Sequence, residues 1–294
     1  MVWQVEEKLR VLNRNIEAFV GCGAGYEEAG IVLFGAPFDG TTSYRPGTRF
    51  GPRAIRGESY GVETYSPYQD QDLTDFPILD SGDLELPIGD ARASLDMIHE
   101  RAKGILEDGK LPFMLGGEHL VTLPAVKAAA SKYPDLHIVH FDAHADLRED
   151  YLGVKLSHAC VIRRCWEILG DGRIHQFGIR SGDRTEFEFA AAGHVALRKF
   201  DFEWLDVTLD ALKGKPVYLT IDLDVMDPSV FPGTGTPEPG GVSFLTLMRA
   251  AVRVAREANV IGCDLVELSP ALDPSGASTA AACKLTRELL LALR

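Results

Sequence analysis

Short apolar runs rich in β-branched residues recur along the chain, at 31–34, 78–80, 113–115, 136–141, 174–178, 217–221 and 260–266. Several carry no polar alternation, the pattern of strands buried on both faces of a parallel sheet. Between them lie segments of helical pattern, predicted over 52–60, 91–107, 120–132, 157–168, 204–212, 244–258 and 277–293. Strand then helix, repeated, predicts an α/β chain: a three-layer α/β/α domain with a mostly parallel central sheet and right-handed crossovers. At 294 residues and 46% hydrophobic, the chain can bury one large core. One domain is expected over 1–294, with 1–30 as an N-terminal extension packing on its neighbours. No internal repeat or low-complexity tract divides it.

Two glycine- and proline-rich loops break the rhythm, 39–52 and 227–241. In open parallel sheets ligands bind beyond the carboxyl ends of strands, where such loops lie. The candidate chemistry falls at the same places. Asp142, His144 and Asp146 stand on alternate positions directly after an apolar run, and a strand would put them on one face. Two carboxylates and an imidazole pointing into one space repel unless a cation sits between them. Asp222 and Asp224 end a second run, and Gly116-Gly117-Glu118-His119 follows a third.

Taken singly, each motif has a plain structural reading, as a solvent-facing stretch or a helix cap. Together, at three strand ends, they predict a metal site. Four carboxylates and two imidazoles exceed what one tetrahedral zinc uses, and no thiolate is among them. Oxygen-rich mixed ligation favours a harder ion such as Mn²⁺. Six such side chains can hold two ions about 3.5–4 Å apart, where a shared water ionises near neutral pH. Two further residues have suitable chemistry. His158 is a candidate proton shuttle. Glu267 ends the last apolar run and could pair with a guanidinium through two parallel hydrogen bonds.

Acidic residues outnumber basic ones by 43 to 30, a net charge of −13. That balance argues against nucleic acid or an anionic membrane surface as partner, because phosphate binding needs clustered Lys and Arg. The first residues have no basic segment followed by an apolar one, so no secretory signal is expected. No run of about 18 apolar residues predicts a transmembrane helix. Five scattered cysteines without a CxxC pair suit reduced thiols and a cytoplasmic location.

Gly-Gly-Glu-His (116–119), Phe-Asp-Ala-His-Ala-Asp (141–146), Ser-His-Ala-Cys (157–160), Ile-Asp-Leu-Asp-Val-Met-Asp-Pro (221–228) and Gly-Thr-Gly-Thr-Pro (233–237) resemble the ureohydrolases, the arginase/agmatinase family. The resemblance runs from about residue 31 to 290. It implies an arginase-like fold, two Mn²⁺ per subunit, and hydrolysis of a guanidinium group to urea and an amine. It also implies a homo-oligomer, a trimer or hexamer.

Residue by residue, the resemblance gives one ion His119, Asp142, Asp146 and Asp222. It gives the other Asp142, His144, Asp222 and Asp224, with Asp142 and Asp222 bridging. His158 matches the catalytic histidine and Glu267 the acid that orients the guanidinium. Asp146 is a further candidate for proton transfer. Asp39 and Asp227 are expected to be loop residues rather than ligands.

The Gly-Thr-Gly-Thr-Pro loop and the Ser-His-Ala-Cys segment look more like agmatinases than arginases, so a small cationic guanidine, agmatine, is the expected substrate. Glu149 and Asp150 would disfavour a substrate carboxylate if they face the cleft, whereas Arg148 could equally receive one. Guanidinobutyrate, guanidinopropionate and arginine are the alternatives. A non-enzymatic scaffold would be expected to lose ligands, and all six positions are intact. The single-zinc arrangement of the arginase-fold deacetylases, more distant relatives, would not require this full set.

Overall fold

The structure, a computed structural model, describes residues 17–293. Its strands, in chain order, are β1 (Ile31–Ala36), the short β2 (Tyr65–Ser66) and β3 (Gln71–Asp72), then β4 (Ile78–Asp83), β5 (Leu111–Gly116), β6 (His137–Phe141), β7 (Ile174–Ile179), β8 (Ala196–Lys199), β9 (Pro216–Asp222) and β10 (Asn259–Val266). β2 and β3 form a separate antiparallel ribbon. The other eight form one sheet in the order β4-β1-β5-β10-β9-β6-β7-β8, and every neighbouring pair is parallel.

Among the described residues, eight α-helices flank the sheet: α1 (Gly51–Ser59), α2 (Ala91–Glu107), α3 (Thr122–Lys132), α4 (Val161–Leu169), α5 (Arg184–Ala191), α6 (Leu205–Ala211), α7 (Phe244–Glu257) and α8 (Ala277–Ala292). Side-chain alternation along a strand divides the core into two layers. Ile31 and Leu33 of β1 pack with Ile55 of α1, Leu209 of α6, Leu247 of α7 and Leu289 of α8. Val32 and Phe34 pack on the opposite face with Ile98 of α2, Val126 of α3 and Ile162 of α4. This is the expected three-layer arrangement, and burial on both sides explains why the strands read as continuous apolar runs.

Helix starts follow local chemistry. Asp90 accepts from Ala93 N at 3.0 Å to cap α2, Ser243 accepts from Thr246 N to cap α7, and Pro52 stands in the first turn of α1. The segments predicted as helix over 120–132 and 157–168 each open with one 3₁₀ turn, His119–Val121 and His158–Cys160. The apolar pattern does not mark the short β2 and β3, nor β8 at the sheet edge, nor α5.

Residues 1–16 of the expected N-terminal extension lie outside the described residues. The rest of it packs against the β4 edge: Gly23 bridges Leu79, and Phe19 and Cys22 are buried in the core. No helix among the described residues is long and apolar enough to cross a membrane.

Topology decides where the site lies. β5, β10, β9 and β6 are consecutive in the middle of the sheet. Because all four are parallel, their carboxyl ends share one edge. Those ends carry Gly116, Val266, Asp222 and Phe141, the residues that lead into or belong to the candidate motifs.

Candidate metal centre

The backbone that follows β6 is no longer strand, so alternation alone does not make Asp142, His144 and Asp146 converge. His144 forms a single bridge to Ser181, and Asp146 adopts a left-handed backbone with φ of 53°. That conformation is uncommon for a residue with a side chain. It is held by the Asp146 carbonyl, which accepts from Ile162 N and Arg163 N, both at 3.1 Å, at the start of α4. Glu267 is likewise left-handed, with φ of 68°. Such strain persists only where the surroundings impose it, and it collects at functional sites.

The other two donors come from turns that compact side chains stabilise. Asp222 ends β9, and its Oδ1 accepts from Asp224 N at 2.9 Å, closing the 3₁₀ turn Leu223–Val225. The Arg180 guanidinium clamps that turn by donating to the carbonyls of Asp224, Val225 and Met226. Ahead of His119, the backbone at Gly117 passes so near Phe38 that a Cβ would sit 1.9 Å from its carbonyl oxygen. Only glycine allows this approach.

Around His119 Nδ1 lie Asp142 Oδ2 at 3.1 Å, Asp146 Oδ2 at 3.2 Å and Asp222 Oδ2 at 3.4 Å. Around His144 Nδ1 lie Asp224 Oδ2 at 3.1 Å and Asp142 Oδ1 at 3.5 Å. Asp142 thus turns one oxygen to each imidazole. Bonds of about 2.1 Å to an octahedral ion would put neighbouring donor atoms about 3 Å apart, which is the spacing found. His119 Nδ1 is fully buried and makes no hydrogen bond, while Nε2 faces Thr220 Oγ1 at 3.0 Å. A buried polar atom without a partner is costly; a cation among the three facing carboxylates would satisfy it. The residues present therefore fit a pair of divalent ions.

Electrostatics point the same way. Burial, together with Asp224 and Asp142, holds the Asp222 carboxyl well above the usual carboxylate range. Burial and the Asp142 charge raise Asp146 to about 7. Burial opposes charge on His119, but Asp142, Asp146 and Asp222 outweigh it and raise its pKa well above the ordinary histidine value. Packed acids without a cation share protons in this way; dications would let them ionise.

One orienting residue escaped the sequence reading. His140 Nε2 lies 2.8 Å from Asp142 Oδ2, and Gln176 Nε2 lies 3.0 Å from His140 Nδ1. The amide nitrogen, which also donates to the Ala145 carbonyl, can only donate, so Nδ1 accepts and Nε2 carries the proton that it gives to Asp142. With both nitrogens engaged, His140 is a carboxylate orienter rather than a ligand. It shares the alternation of Asp142, His144 and Asp146, and that parity was the available signal.

A cavity of about 190 Å³ opens over the donors, lined by His144, Asp146 and Asp222 together with Ser43, His158, Thr236 and Glu267. Glu267 Oε1 accepts from His119 N at 2.7 Å. Burial, then the Glu118 and Asp224 charges, push its pKa well up. Burial lowers His158 to about 4, so its ring is neutral at pH 7. His119, Asp142 and Asp224 are buried. All eight residues singled out in the sequence therefore belong to one region.

Glu149 and Asp150 are exposed and are absent from the cavity wall. Asp150 instead closes a turn by accepting from Gly153 N. Arg148 does reach the wall, but its guanidinium is engaged by Asp183 at 3.1 Å and Glu186 at 3.6 Å. Asp39 and Asp227 hold their loops, accepting from Gly47 N and from Ser229, Gly240 and Gly241 N.

Comparison with known proteins identifies the family. The sequence profile of the arginase family matches residues 29–292. The chain is 49% identical over 277 residues to an agmatinase of Bacillus subtilis (strain 168), covering 94% of this chain and 96% of that one. It is 40% identical over 248 residues to the N(1)-aminopropylagmatine ureohydrolase of Thermococcus kodakarensis, covering 83% and 84% of the two chains. The crystal structure of the agmatine ureohydrolase of Thermoplasma volcanium matches with a TM-score of 0.89 at 36% identity, over 98% of this chain and 97% of that one. With a family profile spanning almost every described residue and the donor set grouped at the carboxyl edge of the sheet, this chain belongs to the arginase family.

Proposed function

We propose that residues 1–294, working as one unit, form a binuclear manganese hydrolase that splits agmatine and water into urea and putrescine. The observation that carries this reading is the pairing of two imidazoles, each with its Nδ1 among carboxylate oxygens, under a cavity that also holds Glu267 and His158. One ion would take His119, Asp142, Asp146 and Asp222, and the other Asp142, His144, Asp222 and Asp224. Divalent ions held there would lower the pKa of a shared water, supplying a nucleophile at neutral pH.

The remaining work falls to the chain's own groups. Glu267 has committed Oε1 to the His119 amide and keeps its other lone pairs for the planar nitrogens of the substrate. That contact orients the guanidinium carbon towards the donors. His158 presents a neutral ring beside the cavity, able to take a proton and return it to the departing amine as the C–N bond breaks. Asp146, in the same wall, is a second candidate proton acceptor.

The engagement of Arg148 supports agmatine over acid-bearing guanidines. Its guanidinium already faces two acids, Asp183 and Glu186, and lies 5.5 Å from the Tyr151 ring centroid. A carboxylate from arginine, guanidinobutyrate or guanidinopropionate would compete with both. Two acids against one guanidinium leave an acidic excess that suits the ammonium end of agmatine. The relatives named agmatinase and agmatine ureohydrolase favour the same substrate.

We also propose a cytoplasmic homo-oligomer, a trimer or hexamer, which sedimentation would test. The substrate is tested by urea release from agmatine, arginine and guanidinobutyrate, with and without manganese. The expected result is manganese-dependent release, fastest from agmatine; a preference for arginine would defeat the substrate assignment.

A further inference from the structure

The loop after β1 reaches His158 through a buried acid that the hydrolytic scheme does not use. Glu118, between Gly117 and His119, is fully buried and has no ion-pair partner among the described residues. Its carboxylate accepts from Thr41 N at 2.8 Å, from Thr42 Oγ1 at 3.1 Å and from Thr41 Oγ1. Thr41 then meets His158 twice. Its Oγ1 accepts from His158 N at 3.2 Å, and its carbonyl lies 2.9 Å from His158 Nδ1.

A carbonyl can only accept, so Nδ1 carries the ring proton and Nε2 is left bare in the neutral imidazole. Nε2 faces Ser43 Oγ at 3.0 Å, and Ser43 lines the cavity beside His158. One carboxylate therefore holds the residue whose carbonyl selects the tautomer. A buried acid without a cationic partner is a costly way to hold a loop, and here its three acceptor contacts all go to the two threonines preceding Ser43.

We propose that Glu118 and Thr41 are positioning residues that lock the orientation and tautomer of His158, keeping Nε2 available at the cavity. The inference rests on the reading of His158 as the proton carrier. It concerns how the ring is held, and neither Glu118 nor Thr41 is assigned a contact with substrate.

The test uses the full manganese-loaded chain with Glu118→Gln, Thr41→Val and Thr41→Ser. Loss of a group that orients a working side chain costs about 10–100-fold. Glu118→Gln and Thr41→Val should lower kcat by that factor, with KM for agmatine within about twofold and manganese content unchanged. Thr41→Ser should recover most of the rate lost in Thr41→Val, because it restores the hydroxyl. Amide hydrogen exchange should quicken at 39–47 in Glu118→Gln, with β5 and β6 protected as before. Unchanged kcat in both disruptive variants, a loss carried by KM, or a loss of manganese would each overturn the proposal. If the wild type released no urea, the functional reading would fail separately. The exchange measurement would still decide the structural link, and unchanged protection at 39–47 would refute it.

Discussion

His140 gives its Nε2 proton to Asp142 Oδ2 at 2.8 Å, while the other oxygen of Asp142 accepts from His144 N at 2.6 Å. The one carboxylate that faces both imidazoles is thus fixed from two sides before any cation arrives. Pre-orientation of this kind lowers the entropy lost on binding.

Replacing His140 by Phe keeps an aromatic ring and removes the donor. Groups that orient a ligand typically contribute about 10–100-fold to metal affinity, so manganese should bind that much more weakly in His140→Phe. Titration of the metal-free protein with Mn²⁺ checks this, and an unchanged affinity would show that Asp142 needs no such support.

A second relationship anchors the β4 edge of the sheet. Arg56 of α1 donates through Nε and Nη2 to the two oxygens of Asp80 at 2.7 and 2.9 Å, with both side chains almost fully buried. Removing one partner of a buried pair strands the other charge and costs about 3–5 kcal/mol. Arg56→Met should lower unfolding stability by about that amount. Denaturant midpoints of the wild type and the variant measure it, and an unchanged midpoint would contradict this.

Acid sensitivity has an identifiable contributor far from the metal site. Burial, then the neighbouring His137 and Arg198 charges, lower His175 to about 4; its ring stacks on His137 at 5.6 Å. An unfolded histidine titrates at about 6.5. Between those values the unfolded chain binds the extra proton, so stability from this group is intact above pH 6.5 and is lost as pH falls towards 4. His175→Phe should flatten the dependence of Tm on pH across that window. An unchanged slope would assign the acid sensitivity elsewhere.

Much of this was legible in the sequence because the sheet is buried on both faces. Uninterrupted apolar runs marked its inner strands, and the polar residues that follow those runs had to lie at the sheet edge. Side-chain chemistry then grouped His119, Asp142, His144, Asp146, Asp222 and Asp224. What stayed hidden depends on tertiary context. β8 is short and half-buried at the edge, so its pattern is weak. α5 carries alternating Phe and Glu, which suggests a strand, yet Asp183 and Glu186 form a capping box that starts a helix. The left-handed backbone of Asp146 depends on the start of α4, and the role of His140 depends on Gln176 one strand away; neither is a local property.

The proposed dependence of hydrolysis on ions held by the six donors underlies the rest. Its most direct test is parallel measurement of bound manganese and urea release from agmatine for the wild type and Asp142→Ala, the carboxylate that faces both imidazoles. Two manganese ions per chain with steady turnover are expected in the wild type, and loss of both together in the variant. Full activity with unchanged manganese content in Asp142→Ala would contradict it.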